Sequence, residues 1–420
     1  MLAMVFLSGS LGRSGSLRLN LTRRRFAHTT HWLIAAATHR QLGMSYEEAS
    51  DALQHVDASM LDEFAAELAK GGQQVVASTA QVTVLDSAVA EETSGPSRPT
   101  RSWLRSLHFN DRLDYVQSCV RVKGAAKFRA ADHSQPPPAH GATATHLHLL
   151  LVAVGLHRAI VSHTGRPLAE DLRIAVLGAG GCSVPAYLAT ALRLPGGRRA
   201  EIDAVELNKD VVAAARTYFG IQNLEETNDK LPNRLRVHTQ CALAWVKAAP
   251  KSVDVLIVDL ESGNSTGDRH LGACEVHAPP LAATDLDFLR DVARLVGSHL
   301  RPGVVAFNCI ATPEGLIKVQ ERVRQGLSLA KAEQHAESTS GAPATTHDDD
   351  LQMWVVAPDV EIEHSDVLHR VLLFQLGGRL SGEFDSQGAI TEGMRTLGLQ
   401  PSSFVLQKVA RDEQEMPDPK

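Results

Sequence analysis

The sequence predicts an α/β protein built on a doubly wound parallel sheet, and three observations predict it. From Asp171 onward, strand-like apolar runs alternate with helical stretches, the pattern of a parallel sheet with helices on both faces. The run Ile174 to Leu177 is continuously apolar, as in a strand buried on both sides. It then breaks into Gly178, Gly180 and Gly181 and resumes as helical sequence. Strand, glycine turn and helix together make a cradle for a nucleotide or nucleoside.

The elements follow in order. Ser45 to Lys70 is patterned as a helix, with Ser45 and Glu48 spaced as a capping box. Ser78 to Val89 alternates weakly and reads as a strand, and Ser94 to Thr100 as a turn or short linker. Trp103 to Phe109 and Tyr115 to Val122 flank Asn110-Asp111-Arg112, a β-hairpin signal. A loop is expected over 135–145, then a buried helix over His146 to Ser162. Strands are expected at Arg173–Leu177, Glu201–Leu207, Leu235–Thr239, Val253–Asp259 and Val304–Ile310. Helices fall between them at Pro185–Leu192, Asp210–Phe219, Ala242–Ala249 and Thr284–Leu300. Residues 334–350 are polar and low in complexity, so a mobile loop is expected there. Gln352–Ala357 and His369–Leu376 supply two more strands, an antiparallel pair at the sheet edge.

The bulk numbers narrow the function. A chain of 420 residues, 44% hydrophobic and 21% charged, has the composition of an ordinary globular protein with two or three domains. No apolar run approaches the roughly 20 residues that span a bilayer. A net charge of −6 gives no reason to expect nucleic acid. Cys119, Cys182, Cys241, Cys274 and Cys309 are scattered without a C-x-x-C pair, and read as reduced thiols, not metal ligands. Residues 1–46 contain six arginines, many Ser and Thr, and no acid. They read either as a mitochondrial transit peptide or as a disordered tail on a cytoplasmic protein. The expected organisation is that segment, a helical and hairpin region over 47–142, an α/β domain over 143–410, and a tail over 411–420.

The ligand is narrowed by what surrounds the glycines. A dinucleotide fingerprint needs glycine at 178, 180 and 183, and position 183 is Ser. The second strand ends in Glu206, whose carboxylate can accept both hydroxyls of an adenosine ribose lying over the glycine turn. The fourth strand ends in Asp259, where an open α/β sheet places its reacting groups. A structural role for Asp259, capping the following turn, stands equally open.

LGAGGCSVP, DAVELN, VHTQCALAWV, DVLIVDLES and LRPGVVAFN, in that order and spacing, resemble a spermidine-synthase-like methyltransferase domain. LHFNDRLDYVQSCVRV and HRVLLFQL extend the likeness over residues 80 to 410. It is nearest to the C-terminal half of the elongation factor 1-alpha lysine and N-terminal methyltransferase family (the methyltransferase-like protein 13 family). The resemblance implies a Rossmann-like, seven-stranded sheet preceded by a small β-hairpin segment. It implies S-adenosyl-L-methionine as cofactor and a protein amine as acceptor, with a translation factor as partner. Carried over by position, Gly178, Gly180 and Gly181 line the methionine and ribose part of the cofactor. Glu206 holds the ribose, Leu207 lies against adenine, and Cys241 and Ala242 stand near the adenine amino group. Cys241 replaces an acid of the family and cannot accept a strong hydrogen bond. Asp259 or Glu261 orients the acceptor amine or takes its proton, Asp259 being the residue expected to orient it, and Asn264 with residues 263–272 is expected to form one wall of the acceptor channel.

Other readings stay open. Aminopropyltransferases share the fold but carry an aspartate in the glycine turn, where this chain has Gly181, and a D-S-S-D stretch, where it has Asp259-Leu-Glu-Ser262. A non-catalytic scaffold that keeps the fold is the other alternative, motivated by Cys241. The oligomeric state is left undetermined.

Overall fold

The computed structural model describes residues 73–90, 101–110, 116–124, 129–134, 141–164, 171–225, 231–261, 270–271, 274–296, 302–338, 351–358, 368–377, 385–397 and 404–408. The expected helix at Ser45–Lys70, the segment 1–46, the linker at 94–100, Asn264 and the tail over 411–420 lie outside these. The chain divides into two compact units, Met1–Asp132 and His133–Lys420.

The first unit is a five-stranded antiparallel sheet, larger than the hairpin the sequence predicts. Its strands β1 (Gln73–Ser78), β2 (Val82–Ala90), β3 (Arg101–Phe109), β4 (Ser118–Lys123) and β5 (Ala130–Asp132) lie side by side in chain order. The single strand expected at Ser78–Val89 is instead β2 and the end of β1. Thr79 is the reason: its hydroxyl accepts the N–H groups of Gln81 (3.2 Å) and Val82 (3.1 Å), which reverses the chain. The predicted hairpin is β3–β4, with Trp103 opposite Val122. Asp86, only 1% exposed, is satisfied from two sides. Arg105 grips both its oxygens (2.7 and 3.0 Å), and Arg129 reaches it at 3.2 Å while lying over the Trp103 ring. A carboxylate so deep needs such partners to offset its lost hydration.

The second unit opens with helix α1 (Gly141–His163), which begins inside the loop expected at 135–145. Its residues Leu150 to Val154, Leu156 and Ile160 have no exposure at all, as a helix apolar on every side requires. Alternation of strand and helix then runs as predicted: β6 (Leu172–Leu177), α2 (Ser183–Ala191), β7 (Ala200–Glu206), α3 (Lys209–Tyr218), β8 (Arg234–Thr239), α4 (Ala242–Ala248) and β9 (Val255–Val258). A small hairpin, β10 (His270–Leu271) and β11 (Cys274–Ala278), precedes α5 (Leu286–Leu295), β12 (Gly303–Ala311) and α6 (Pro313–Ser338). β13 (Gln352–Pro358), β14 (Leu368–Leu376), α7 (Ser386–Thr396) and β15 (Phe404–Lys408) complete it.

The strand order is β15-β13-β14-β12-β9-β6-β7-β8, with β12, β9, β6, β7 and β8 mutually parallel. β14 runs antiparallel to both β12 and β13. The fold is α/β, Rossmann-like and doubly wound. The antiparallel pair β13–β14 is present, yet the sheet does not end there: β15 pairs with β13 as an eighth strand, and β11 joins the end of β12. The chain winds from β6 towards β8 on one side and from β9 outward on the other. The switch point therefore lies between the carboxyl ends of β6 and β9, where open α/β sheets bind ligands.

Alternate side chains of the strands enter two cores. Ala175, Leu177, Leu256, Val258, Val305, Phe307 and Cys309 pack with Phe288, Leu289 and Val292 of α5 and with Val319, Val323 and Leu327 of α6. Phe307 and Phe374 meet edge to face at 6.0 Å. On the other face α1 crosses α7 backbone to backbone, since a Cβ on Gly393 would stand 2.5 Å from the Gly155 carbonyl oxygen. Gly393→Ala is therefore expected to cost about 2–4 kcal/mol. An unaltered midpoint in thermal unfolding would refute that contact.

Two helical boundaries differ from expectation. The helix predicted to Leu300 stops at Leu295, because Val296 leaves it to bridge Val253, whose N–H bonds the Leu295 carbonyl at 2.9 Å. Helix α6, 26 residues long, occupies sequence where no helix is expected and the first part of the expected loop at 334–350. Thr312 starts it by accepting the Gly315 N–H at 3.2 Å, Pro313 suits its first position, and Leu316, Val319, Val323, Leu327 and Ala330 seat it at helical spacing. Residues 339–350 lie outside those described.

Candidate active site

The carboxyl ends of β6, β7, β8, β9 and β12 converge through a short set of hydrogen bonds. Leaving β6, Gly178 and Ala179 both donate to the Val205 carbonyl of β7 (2.9 and 3.1 Å), so the turn is fastened to the neighbouring strand. Gly178 has φ 78°, and a Cβ there would lie 2.1 Å from the Asp259 carbonyl oxygen. The missing side chain at 178 lets β6 approach the end of β9. Gly180, at φ 53°, donates its N–H to Glu206 at 2.9 Å. Gly181 closes the turn, and Cys182, the cap residue of α2, holds a left-handed φ of 61° that costs a non-glycine residue roughly 1–3 kcal/mol. Strain of that size at a strand–helix turn marks a place held by its surroundings.

Glu206 sits between two turns. One carboxylate oxygen accepts the Gly180 N–H and the other accepts the Asn208 N–H, each at 2.9 Å. Asn208 caps α3 through its side chain, which takes the N–H groups of Asp210 (2.9 Å) and Val211 (3.4 Å). Burial raises the Glu206 carboxyl above its ordinary value, outweighing the backbone donors of Asn208, Gly180 and Leu207 that favour the ionised form. A carboxylate has about four acceptor sites, so capacity remains on Glu206 for a ligand diol. Leu207, next in the chain, is 71% exposed, a large apolar side chain laid open beside that carboxylate. Gln240 donates to the Glu206 carbonyl at 3.0 Å, which brings the end of β8 alongside. Cys241 therefore reaches the same rim, exposed, as the cap residue of α4 with no side-chain cap bond, while Ala242 is buried beneath it.

Asp259 lies across the switch point. Its N–H bonds the Leu177 carbonyl at 2.8 Å, and its Oδ1 accepts from Asn308 Nδ2 at 2.8 Å. Its carboxyl is pushed up to about 7, chiefly by burial, then by the charge of Glu261 and, more weakly, of Glu206, against the Asn308 hydrogen bond. The structure thus brings together Gly178, Gly180, Gly181, Glu206, Leu207, Cys241, Ala242 and Asp259. Asn308 and Asn208 complete the site and were not singled out from the sequence. Asn308 could have been noticed, as the one strongly polar side chain in the apolar strand GVVAFNCIA.

The sign of the Asp259 shift has a consequence for stability. The native carboxyl holds its proton up to about pH 7, while the unfolded one releases it near 3.8, so stability falls as pH rises between those values. Asp259→Asn removes that penalty, and the variant is expected to exceed the wild type at pH 8 by up to about 4 kcal/mol, with little difference near pH 4. Denaturant melts at the two pH values test this; parallel behaviour would contradict the raised carboxyl.

The strand order, with antiparallel β14 between β12 and β13, is that of a Rossmann-like α/β sheet with an antiparallel strand added at one side. Among solved structures, the chain is similar to a probable spermidine synthase from Corynebacterium glutamicum, with 16% identity over 77% of this chain and 88% of that one, at a TM-score of 0.43. It is similar to the spermidine synthase of Thermotoga maritima (11%, 76% and 82%, TM-score 0.38). A putative class I S-adenosylmethionine-dependent methyltransferase from Listeria monocytogenes also matches (11%, 64% and 74%, TM-score 0.35). No family model and no curated protein matches the chain.

Proposed function

We propose that the chain is an S-adenosylmethionine-dependent methyltransferase that places the methyl group on an amine of a protein. The observation that carries this reading is Glu206, suspended between the Gly180 and Asn208 amides with exposed Leu207 beside it and Asp259 across the switch point. The donor set suits the cofactor. Glu206, Asp259 and Glu261 raise the negative potential of one crevice, which favours a cationic sulfonium and opposes the pyrophosphate of a dinucleotide. Bound there, the cofactor supplies a methyl group already activated by its positive sulfur.

The chain's own residues then have limited tasks. Glu206 accepts the ribose hydroxyls, Leu207 covers one face of the adenine, and the Gly180–Gly181 backbone borders the methionine part. Cys241 offers the adenine no strong acceptor, so binding leans on Glu206 and on apolar contact. The acceptor must be a neutral amine aligned with the methyl group and shielded from water. An α-amino group, near 7.7–8.0, meets that condition more readily than a lysine near 10.4. Asp259, with its carboxyl about 7, is matched to orient such an amine and take its proton at neutral pH. The family resemblance makes a translation factor the first acceptor to try.

A second reading has one observation in its favour. Glu261 beside Asp259 supplies carboxylates that would also hold a cationic polyamine, as in aminopropyl transfer, although Gly181 stands where those enzymes carry an aspartate. Incubation with methyl-labelled S-adenosylmethionine and fractionated cell protein separates the two. Label on a protein amine, lost with Glu206→Ala, supports methyl transfer. In a parallel incubation, labelled spermidine formed from decarboxylated S-adenosylmethionine and labelled putrescine, with no methyl-labelled protein in the first, favours the second reading.

A further inference from the structure

Asn308 is 1% exposed, and its two polar atoms are treated unequally. Nδ2 donates to Asp259 Oδ1 at 2.8 Å, while the buried Oδ1 has no hydrogen-bond partner among the described residues. A side chain present only for packing would not leave a buried acceptor unmet, because an aliphatic residue of the same shape would cost less there. An amide can turn over within the same outline, exchanging its N–H₂ and its oxygen. With Asp259 ionised, Nδ2–H faces the carboxylate. With Asp259 protonated, the turned amide presents Oδ1 to the new O–H. The unmet oxygen is the half of the amide that the ionised state does not use.

We propose that Asn308 is the positioning residue that lets Asp259 take and release a proton, donating to its carboxylate and, after turning over, accepting from its carboxylic acid. This rests on the amine-acceptor reading above. In the step it serves, an N–H bond of the amine breaks, an O–H bond forms on Asp259, and the proton later passes to water. Among the described residues, Glu261 follows Asp259 on its own segment, Glu206 stands at the end of β7, Asn308 faces it from β12, and the β6 turn presents the Gly178 backbone. Both acids repel its charge and burial adds to them, and the Asn308 hydrogen bond works against them in favour of the ionised form. Placed next to Val258–Phe307, the last paired residues of β9 and β12, it holds the carboxyl from the strand ladder itself.

The test uses the whole protein with no ligand, labelled with ¹³C-aspartate and ¹⁵N-asparagine and followed by NMR from pH 5 to 9. The Asp259 carboxyl signal is identified by its loss in Asp259→Asn, and the Asn308 amide signals by their loss in Asn308→Leu. The Asn308 side-chain amide signals are expected to move with the same midpoint as Asp259. In Asn308→Leu, or in Asn308→Ala if the first does not fold, that midpoint is expected to rise by about one pH unit, tenfold in proton affinity. Amide signals that stay still across the Asp259 titration overturn the proposal, and so does a midpoint unmoved in a folded variant. No cofactor is present, so failure here is separate from failure of the methyltransferase reading, which a cofactor titration decides.

Discussion

Gly178→Ala is expected to cost at least about 3 kcal/mol and to leave little folded protein at 37 °C. Two terms combine. The residue sits at φ 78°, where an alanine pays roughly 1–2 kcal/mol. Its Cβ would also lie 2.1 Å from the Asp259 carbonyl oxygen and 2.8 Å from the carbonyl carbon, both backbone atoms that cannot step aside without parting β6 from β9. Those strands pair from Ile174–Val255 to Leu177–Val258, so the disturbance falls on the middle of the sheet and on the switch point together. Thermal unfolding with circular dichroism measures it. A variant that melts within a degree or two of the wild type would show that β6 and β9 are not so close.

Glu206→Ala is expected to weaken S-adenosylmethionine binding by on the order of 100-fold. A hydrogen bond to a charged group contributes about 1.5–3 kcal/mol, and the carboxylate is proposed to accept from both ribose hydroxyls. The same substitution strips the Gly180 and Asn208 N–H groups of their acceptor, so it also lowers stability. Glu206→Gln separates the two effects. One amide oxygen still serves a turn N–H, so stability falls less, while affinity is expected to drop by about tenfold or more. Unchanged affinity in a folded Glu206→Gln would reduce Glu206 to a fastener of the two turns.

Much of this fold is legible in the sequence because local pattern and burial agree. The central strands are short apolar runs buried on both faces, and the Val255–Val258 run has no exposure at any position. The strand expected at Gln352–Ala357 is found at Gln352–Pro358, with Met353 and Trp354 buried. Helix α6 carries a legible signal, since its apolar positions recur every three or four residues behind Thr312-Pro313. The turn at Thr79 and the end of α5 at Leu295 were not legible. A threonine hydroxyl choosing two particular N–H groups, and Val296 leaving a helix for a bridge to Val253, are settled by tertiary partners.

The site divides in the same way. Glu206 and Asp259 could be found as acids closing buried strands. What each of them touches could not. Gly178 reads in the sequence as room for a ligand, whereas in the structure its missing side chain makes room for the Asp259 backbone. Asn308 belongs to a strand distant in sequence and becomes part of the site only through the pairing of β9 with β12.

The central claim is that this strand-end crevice is a sulfonium nucleoside site, and calorimetric titration of the purified protein tests it most directly. S-adenosylmethionine, decarboxylated S-adenosylmethionine and NAD are titrated in parallel at pH 8, where Asp259 is ionised. Selective micromolar binding of S-adenosylmethionine, weakening as the pH is lowered through about 7, is the predicted result. Binding of none of the three, or of NAD in preference, would contradict it.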